Sequence, residues 1–162
     1  MDSHEIEQVF NFRPVSQRIS TSGQPTPGQL EQISAAGFEV VIDLAPVDLD
    51  RYSFAGEPEK VAALGMQYFH IPVDFRNPTD IDFFLFSEAM DASLSKRVWI
   101  HCAANYRVTV FYSLWAEHQG LWDAGRSDAF IRSVWESDPQ WKMNDIWRDF
   151  IASIRAESHA EG

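Results

Sequence analysis

A chain of 162 residues with 45% hydrophobic and 14% aromatic content can build one apolar core, which excludes an intrinsically disordered chain and argues against two domains. Its formal charge of −11 works against nucleic acid or anionic lipid as a partner, since both are gripped mainly through Lys and Arg. No apolar run nears the roughly 20 residues of a membrane span.

Residues 16–23 read as a short strand running into a turn at Gly23. Thr26 then caps a helix with Pro27 at its first position, Gln29 completing a capping box and Gly37 ending it. The run FEVVIDLAP, rich in β-branched residues, predicts a buried strand over 38–44. From Asp48 to Glu57 the chain is polar and turn-like. A short helix from Pro58 to Leu64 stops at Gly65, and MQYFHIPV forms the next strand. After FRNP, Thr79 caps a helix whose Phe83, Phe86, Met90 and Leu94 share one face. RVWIHC is again a strand. Val108, Phe111, Tyr112 and Trp115 then mark an amphipathic helix. Two further helices follow, with Phe130, Ile131, Val134 and Trp135 inward in one and Ile146, Trp147, Phe150, Ile151 and Ile154 inward in the other.

Strands alternating with helices predict an α/β fold: a central, mostly parallel sheet of four to five strands flanked by helices. Sites in such folds lie at the carboxyl ends of the strands. The junction from Ile100 to Arg107 is one such end.

There the segment HCAANYR joins a strand to a helix, the local geometry of an anion cradle. Backbone N–H groups of Ala103, Ala104, Asn105 and Tyr106 converge on an oxyanion, and the helix adds its positive end. Cys102 in that field favours the thiolate and becomes a nucleophile. Arg107 offers a planar fork to two phosphate oxygens. His101 is placed to bond carbonyls beneath the loop, and Thr109 to donate to the thiolate or a departing group. A lone Cys after an apolar strand also reads as a small core residue. His70, within a strand, reads as a packed structural residue, and the five His show no metal-ligand spacing.

H-C-x-x-x-x-R-x-T after a strand resembles the signature loop of the cysteine-dependent tyrosine and dual-specificity phosphatases. The wider pattern is similar to the bacterial phosphatase-like domains named after beta-lactamase hydrolase-like proteins. It is carried by S-G-Q-P at Ser22–Pro25 with T-P starting a helix, A-A-G-F-E-V-V-I-D-L at 35–44, and Y-F-H-I-P-V at 68–73, and spans about residues 12–118. The resemblance implies one dual-specificity-phosphatase-like domain over 1–162, whose part from about 119 to 158 is packing helices. It implies hydrolysis of phosphate monoesters, with Cys102 forming a phosphocysteine and Arg107 clamping the phosphate. A general acid is implied after I-P-V: Asp74 is nearest, ahead of Asp80 and Asp82, and Asp74 also suits a plain turn carboxylate. No cofactor and no metal are implied. The expected partners are a phosphorylated protein or small molecule and a phosphate or sulfate ion in the loop.

The chain departs from that family at one point. Four residues, Ala103 to Tyr106, separate Cys102 from Arg107 where five are usual. Asn105 stands at a usual glycine, a position Asn tolerates at positive φ. Val108 stands where the arginine belongs, and one helical residue is a rotation of about 100°. A misplaced clamp of this kind costs about 3 kcal/mol of transition-state stabilisation, or about 100-fold in rate. Slow hydrolysis is therefore one expectation, and an oxyanion-binding pseudophosphatase is the alternative. A rhodanese-like sulfurtransferase, suggested by the short loop alone, is a third.

Trp122 and Trp141, in turn-like contexts, are candidate contact residues, whereas Trp135 and Trp147 fall at core spacing. A monomer or weak dimer is expected. The acidic N-terminus MDSHEIEQVFNF lacks a secretion signal's basic and apolar layout, and a single thiol cannot form an internal disulfide, so the expected location is cytoplasmic.

Overall fold

The computed structural model describes residues 3–46, 56–137 and 142–161. After a short 3-10 helix, Ser3–Gln8, the chain runs β1 (Arg13–Pro14), β2 (Ile19–Ser22), α1 (Pro27–Ala35), β3 (Val40–Asp43), α2 (Glu57–Ala63), β4 (Gln67–His70), α3 (Asp80–Asp91), β5 (Val98–His101), α4 (Tyr106–His118), α5 (Ala124–Trp135) and α6 (Asp145–Glu161). The sheet order is β1-β2-β5-β3-β4, a mixed α/β architecture in which β2, β5, β3 and β4 are parallel and β1 pairs antiparallel with β2. The mostly parallel sheet follows from the alternation of strands and helices, since parallel neighbours need a crossover.

Successive strand residues point to opposite faces, and the two faces bury separate cores. Val40, Ile42, Val98 and Ile100 pack with residues of α3, α4, α5 and α6. Val41 and Trp99 pack on the other side with Leu30 and Ile33 of α1 and Val61 of α2. Helix α4 is buried at every position from Arg107 to Ala116, because helices and sheet surround it. Apart from Arg107, Thr109 and Ser113 those positions are apolar or aromatic, as suits a helix covered on all sides.

Local chemistry sets the helix starts. Thr26 and Thr79 each cap their helix with a reciprocal box, the first with Gln29 and the second with Asp82. Gly37 and Gly65, at φ 100° and 80°, close α1 and α2 in the left-handed conformation that glycine adopts without strain.

Several expectations need correction. Helix α3 ends at Asp91, so Leu94 lies beyond its apolar face and is exposed. Ile146 is exposed too, at the first turn of α6, while Trp147, Phe150 and Ile154 are buried. Most of the polar segment from Asp48 lies outside the described residues, but Glu57 at its end begins α2. Strand β1 carried no apolar signal of its own. Among the described residues no helix is long and apolar enough to cross a membrane.

Candidate active site

Parallel pairing brings the carboxyl ends of β2, β5 and β3 together, with His101 of β5 in register with Ser22 and Asp43. The loop 102–105 leaves β5 at this edge and enters α4 through Asn105, whose backbone is left-handed at φ 70°. Cys102 follows directly, fully buried, its N–H donating to the Ser22 carbonyl at 3.4 Å.

Three consecutive loop carbonyls are tied from outside. His101 Nδ1 reaches the Cys102 carbonyl at 3.3 Å, the Gln24 N–H donates to that of Ala103 at 3.0 Å, and Asn11 Nδ2 to that of Ala104 at 2.9 Å. A trans peptide holds its C=O and the following N–H antiparallel. Each tied carbonyl therefore fixes the direction of the N–H that follows it, those of Ala103, Ala104 and Asn105. Gly23 permits the approach: a Cβ there would lie 2.6 Å from the Ala103 carbonyl oxygen. This gives S-G-Q-P its physical content, with Ser22, Gly23 and Gln24 all bracing the loop.

Beneath the loop lies a buried charge cluster. His101 Nε2 contacts Glu57 Oε2 at 2.5 Å, and its Nδ1 sits 3.6 Å from Asp43 Oδ1. Burial pushes the imidazole pKa down, but the charges of Asp43 and Glu57 and the bonds to Glu57 and the Cys102 carbonyl outweigh it and raise it from 6.5 to about 10. His101 is thus an imidazolium with both nitrogens donating. Glu57 responds oppositely: burial raises its pKa, and the His101 charge and hydrogen bond bring it below the usual carboxylate value. Asp43 also accepts from the Ala45 N–H at 2.9 Å and the Tyr68 hydroxyl at 2.7 Å. Burial and the neighbouring Asp43 charge push the Tyr68 phenol up.

Sequence reasoning missed Asp43 and Glu57. The available signal was an acidic residue closing the apolar strand V-V-I-D, one parallel register step from the strand bearing His101. Asp43, Glu57 and His101 offer donor atoms within 4.8 Å of one another, a set of the type that holds a divalent cation. Each of those donors is already engaged by a protein group, so the ion-paired arrangement is complete without one.

Arg107, on the first turn of α4, is 8% exposed and folds inward. Its Nη1 donates to the Val73 carbonyl at 2.9 Å and its guanidinium lies 5.7 Å from the Phe75 ring centre. Its Nε is buried without a hydrogen-bond partner among the described residues. Tyr106 stacks on Trp135 at 5.0 Å and lies beside Phe75 rather than filling the cradle. The Thr109 hydroxyl donates to the Tyr106 carbonyl at 2.9 Å and accepts from Trp135 Nε1 at 3.1 Å, which leaves it no second hydrogen for Cys102.

Asp74 is exposed in the turn after Val73, where its Oδ1 accepts from the Arg76 N–H at 2.9 Å. The tie from Arg107 to the Val73 carbonyl brings that turn beside the loop. Asp80 is exposed at the start of α3, and Asp82 accepts from the Thr79 N–H as a helix cap. His70 bonds the Ala45 carbonyl at 2.6 Å, joining β4 to the end of β3. Trp135 and Trp147 are buried, and Trp122 is packed edge-on between Tyr112 and Phe130. Trp141 lies outside the described residues.

Known proteins share this fold. A crystal structure of a DUF442 protein from Shewanella putrefaciens CN-32, described as a phosphatase, superposes with a TM-score of 0.84 at 27% identity, covering 97% of this chain and 99% of that one. The active form of Tk-PTP, at 16% identity and a TM-score of 0.72, covers 90% and 97%, and shows the fold alone. The catalytic domain of the PP-IP phosphatase SIW14 from S. cerevisiae, at 15% identity and a TM-score of 0.67, covers 94% and 93% and likewise shows the fold. A beta-lactamase hydrolase-like protein of Agrobacterium fabrum is 30% identical over 102 residues, which is 62% of this chain. The match spans 23% of that protein's length. The family model for the phosphatase-like domain of beta-lactamase hydrolase-like proteins matches residues 11–120, and with the braced loop 102–107 inside that span, the chain belongs to this family.

Proposed function

We propose that this domain hydrolyses phosphate monoesters through a phosphocysteine on Cys102. The observation that carries the reading is Arg107: a buried guanidinium directly after the loop, with Nε unpartnered among the described residues, following 103–105 N–H groups whose directions the tied carbonyls fix. An oxyanion is the complement of both, since a buried donor without an acceptor is costly. The kinship with a phosphatase-like family and the likeness to a DUF442 phosphatase structure support the same substrate class.

In the proposed reaction the Cys102 sulfur attacks phosphorus and the ester P–O bond breaks. The departing oxygen takes a proton from the general acid, for which Asp74 is the candidate because it follows the residue that Arg107 grips. Water then attacks the phosphocysteine, passing a proton to the carboxylate that the first step left behind as the S–P bond breaks, and so releases inorganic phosphate and the Cys102 sulfur in its starting form. Arg107 and the loop N–H groups stabilise the charge on the equatorial oxygens in both steps. The domain would be a cysteine-dependent phosphatase of the tyrosine or dual-specificity type. The four-residue spacing, with Arg107 anchored to the Val73 carbonyl, predicts slow turnover.

Full enclosure of Cys102 favours a second reading, in which the loop binds an oxyanion without forming a covalent bond. Turnover of a small aryl phosphate separates the two. The phosphatase reading expects measurable hydrolysis that Cys102→Ser abolishes. A folded wild-type protein inert across about pH 5–8 overturns it. Binding alone then stands if Cys102→Ser keeps the affinity for inorganic phosphate.

A further inference from the structure

Glu57 takes part in no step of that chemistry, yet it is almost completely buried at the start of α2. Burying a carboxylate is costly unless each oxygen is engaged. Here both are, and by different arms. Oε2 meets His101 Nε2 at 2.5 Å, and Oε1 accepts from Gln24 Nε2 at 2.7 Å. Each arm continues to the loop. His101 Nδ1 reaches the Cys102 carbonyl at 3.3 Å, and the Gln24 N–H donates to the Ala103 carbonyl at 3.0 Å.

One carboxylate therefore governs two consecutive peptide planes, 102–103 and 103–104. In a trans peptide the orientation of the carbonyl fixes that of the next N–H. We propose that Glu57 is a positioning residue of the oxyanion site: through His101 and Gln24 it holds the Cys102 and Ala103 carbonyls outward and so aims the N–H groups of Ala103 and Ala104 at the bound anion. The inference rests on the oxyanion loop of the proposed function and not on turnover. It gives α2, which contributes nothing to the loop's own sequence, a part in building the site. Asp43 supports the same imidazolium from β3, but it reaches no loop carbonyl through a second arm.

The test is direct binding of tungstate, a tetrahedral oxyanion, to the folded protein, together with the amide resonances of Ala103 and Ala104. Glu57→Ala removes both arms, and the expected result is at least tenfold weaker tungstate binding with little response of those two amides. Glu57→Gln can still accept from Gln24 and donate to a neutral His101, so it is expected to recover most of the affinity. A purely structural role would not give that rescue. If Glu57→Ala does not fold, Gln24→Ala cuts one arm only, and a loss of roughly threefold is expected. Wild-type affinity in a folded Glu57→Ala, or in Gln24→Ala where Glu57→Ala does not fold, overturns the proposal. So does failure of the wild type to bind tungstate. Binding that responds to Glu57 without any aryl phosphate turnover sinks the phosphatase reading and leaves this inference standing. Cys102-dependent turnover with tungstate affinity indifferent to Glu57 does the reverse.

Discussion

Asn11 and Asn105 clasp each other across the entry to α4. Asn105 Nδ2 donates to the Asn11 carbonyl at 2.9 Å, while Asn11 Nδ2 donates to the carbonyl of Ala104, the residue before Asn105. Both backbones sit at positive φ, 51° and 70°. Asparagine accepts that region more readily than other non-glycine residues, and its amide then reaches nearby backbone.

Asn105→Gly and Asn105→Ala should therefore separate strain from bonding. Glycine accepts φ 70° freely but loses the bonds to Asn11 and to Thr21 Oγ1, the latter 3.1 Å long. Alanine loses the same bonds and adds left-handed strain of about 1–2 kcal/mol. Urea unfolding should rank wild type above Asn105→Gly and Asn105→Ala last. Equal stability of the two variants would show that φ 70° is not held in solution.

Gly23→Ala tests the close approach of β2 to the loop. The new Cβ would meet the Ala103 carbonyl oxygen at 2.6 Å and Phe10 Cδ2 at 2.8 Å, and a backbone oxygen cannot swing aside as a side chain can. Ala103 must shift, and with it the N–H of Ala104. An aryl phosphatase assay should lose about tenfold or more, since displacement of a single oxyanion donor already costs that much. Gly65→Ala is the control. At φ 80° with no atom within 4 Å of its Cβ, it strains the end of α2 and should lower stability without touching turnover.

Much of the scaffold was legible because its causes are local. The capping box at Thr26 needs only Thr-x-x-Gln, and β3 and β5 announce themselves as apolar β-branched runs. Leu94 misled because periodicity extends past a helix end that the pattern itself cannot locate. The two residues of β1 are too few to show any period. At the site, Cys102, His101 and Arg107 were legible as one contiguous motif. Glu57 was not: it stands 44 residues before His101, and only the sheet order and the packing of α2 bring the two together. Asp43 was hidden for the same reason, since register between β3 and β5 is a property of pairing, not of either strand.

Replacement of Arg107 should distinguish charge from shape. Arg107→Lys keeps a cation that can still reach the Val73 carbonyl but lacks the fork that meets two phosphate oxygens. Steady-state kinetics should show kcat/KM reduced about 100-fold or more, on the scale of losing an oxyanion donor. Arg107→Ala should fall at least as far and also lose stability, because it leaves the Val73 carbonyl buried and unpaired. Turnover within a few-fold of wild type in Arg107→Lys would mean that the guanidinium serves the 73–77 turn and not the phosphate.

The imidazolium of His101 makes stability depend on pH in a defined direction. The charged groups facing it are Asp43 from β3 and Glu57 from α2, with Tyr68 on β4 bonded to Asp43 and His70 acting on Glu57. Although burial opposes the charge, the carboxylates raise the pKa from 6.5 to about 10. The folded state thus binds the proton more tightly than the unfolded chain does. Its contribution is fully present below the unfolded value and is lost as pH rises toward 10. In Glu57→Gln the raising charge is halved, so the stability gap between wild type and variant should be widest near pH 6–7 and shrink steadily toward pH 10. Past that point the ranking should approach reversal, because a carboxylate facing a neutral imidazole in a buried site keeps its desolvation cost without its partner's charge. Denaturant unfolding of both proteins across this range gives the comparison. A gap that stays constant would mean that His101 is neutral in the native state, and that the contact with Glu57 is an ordinary hydrogen bond.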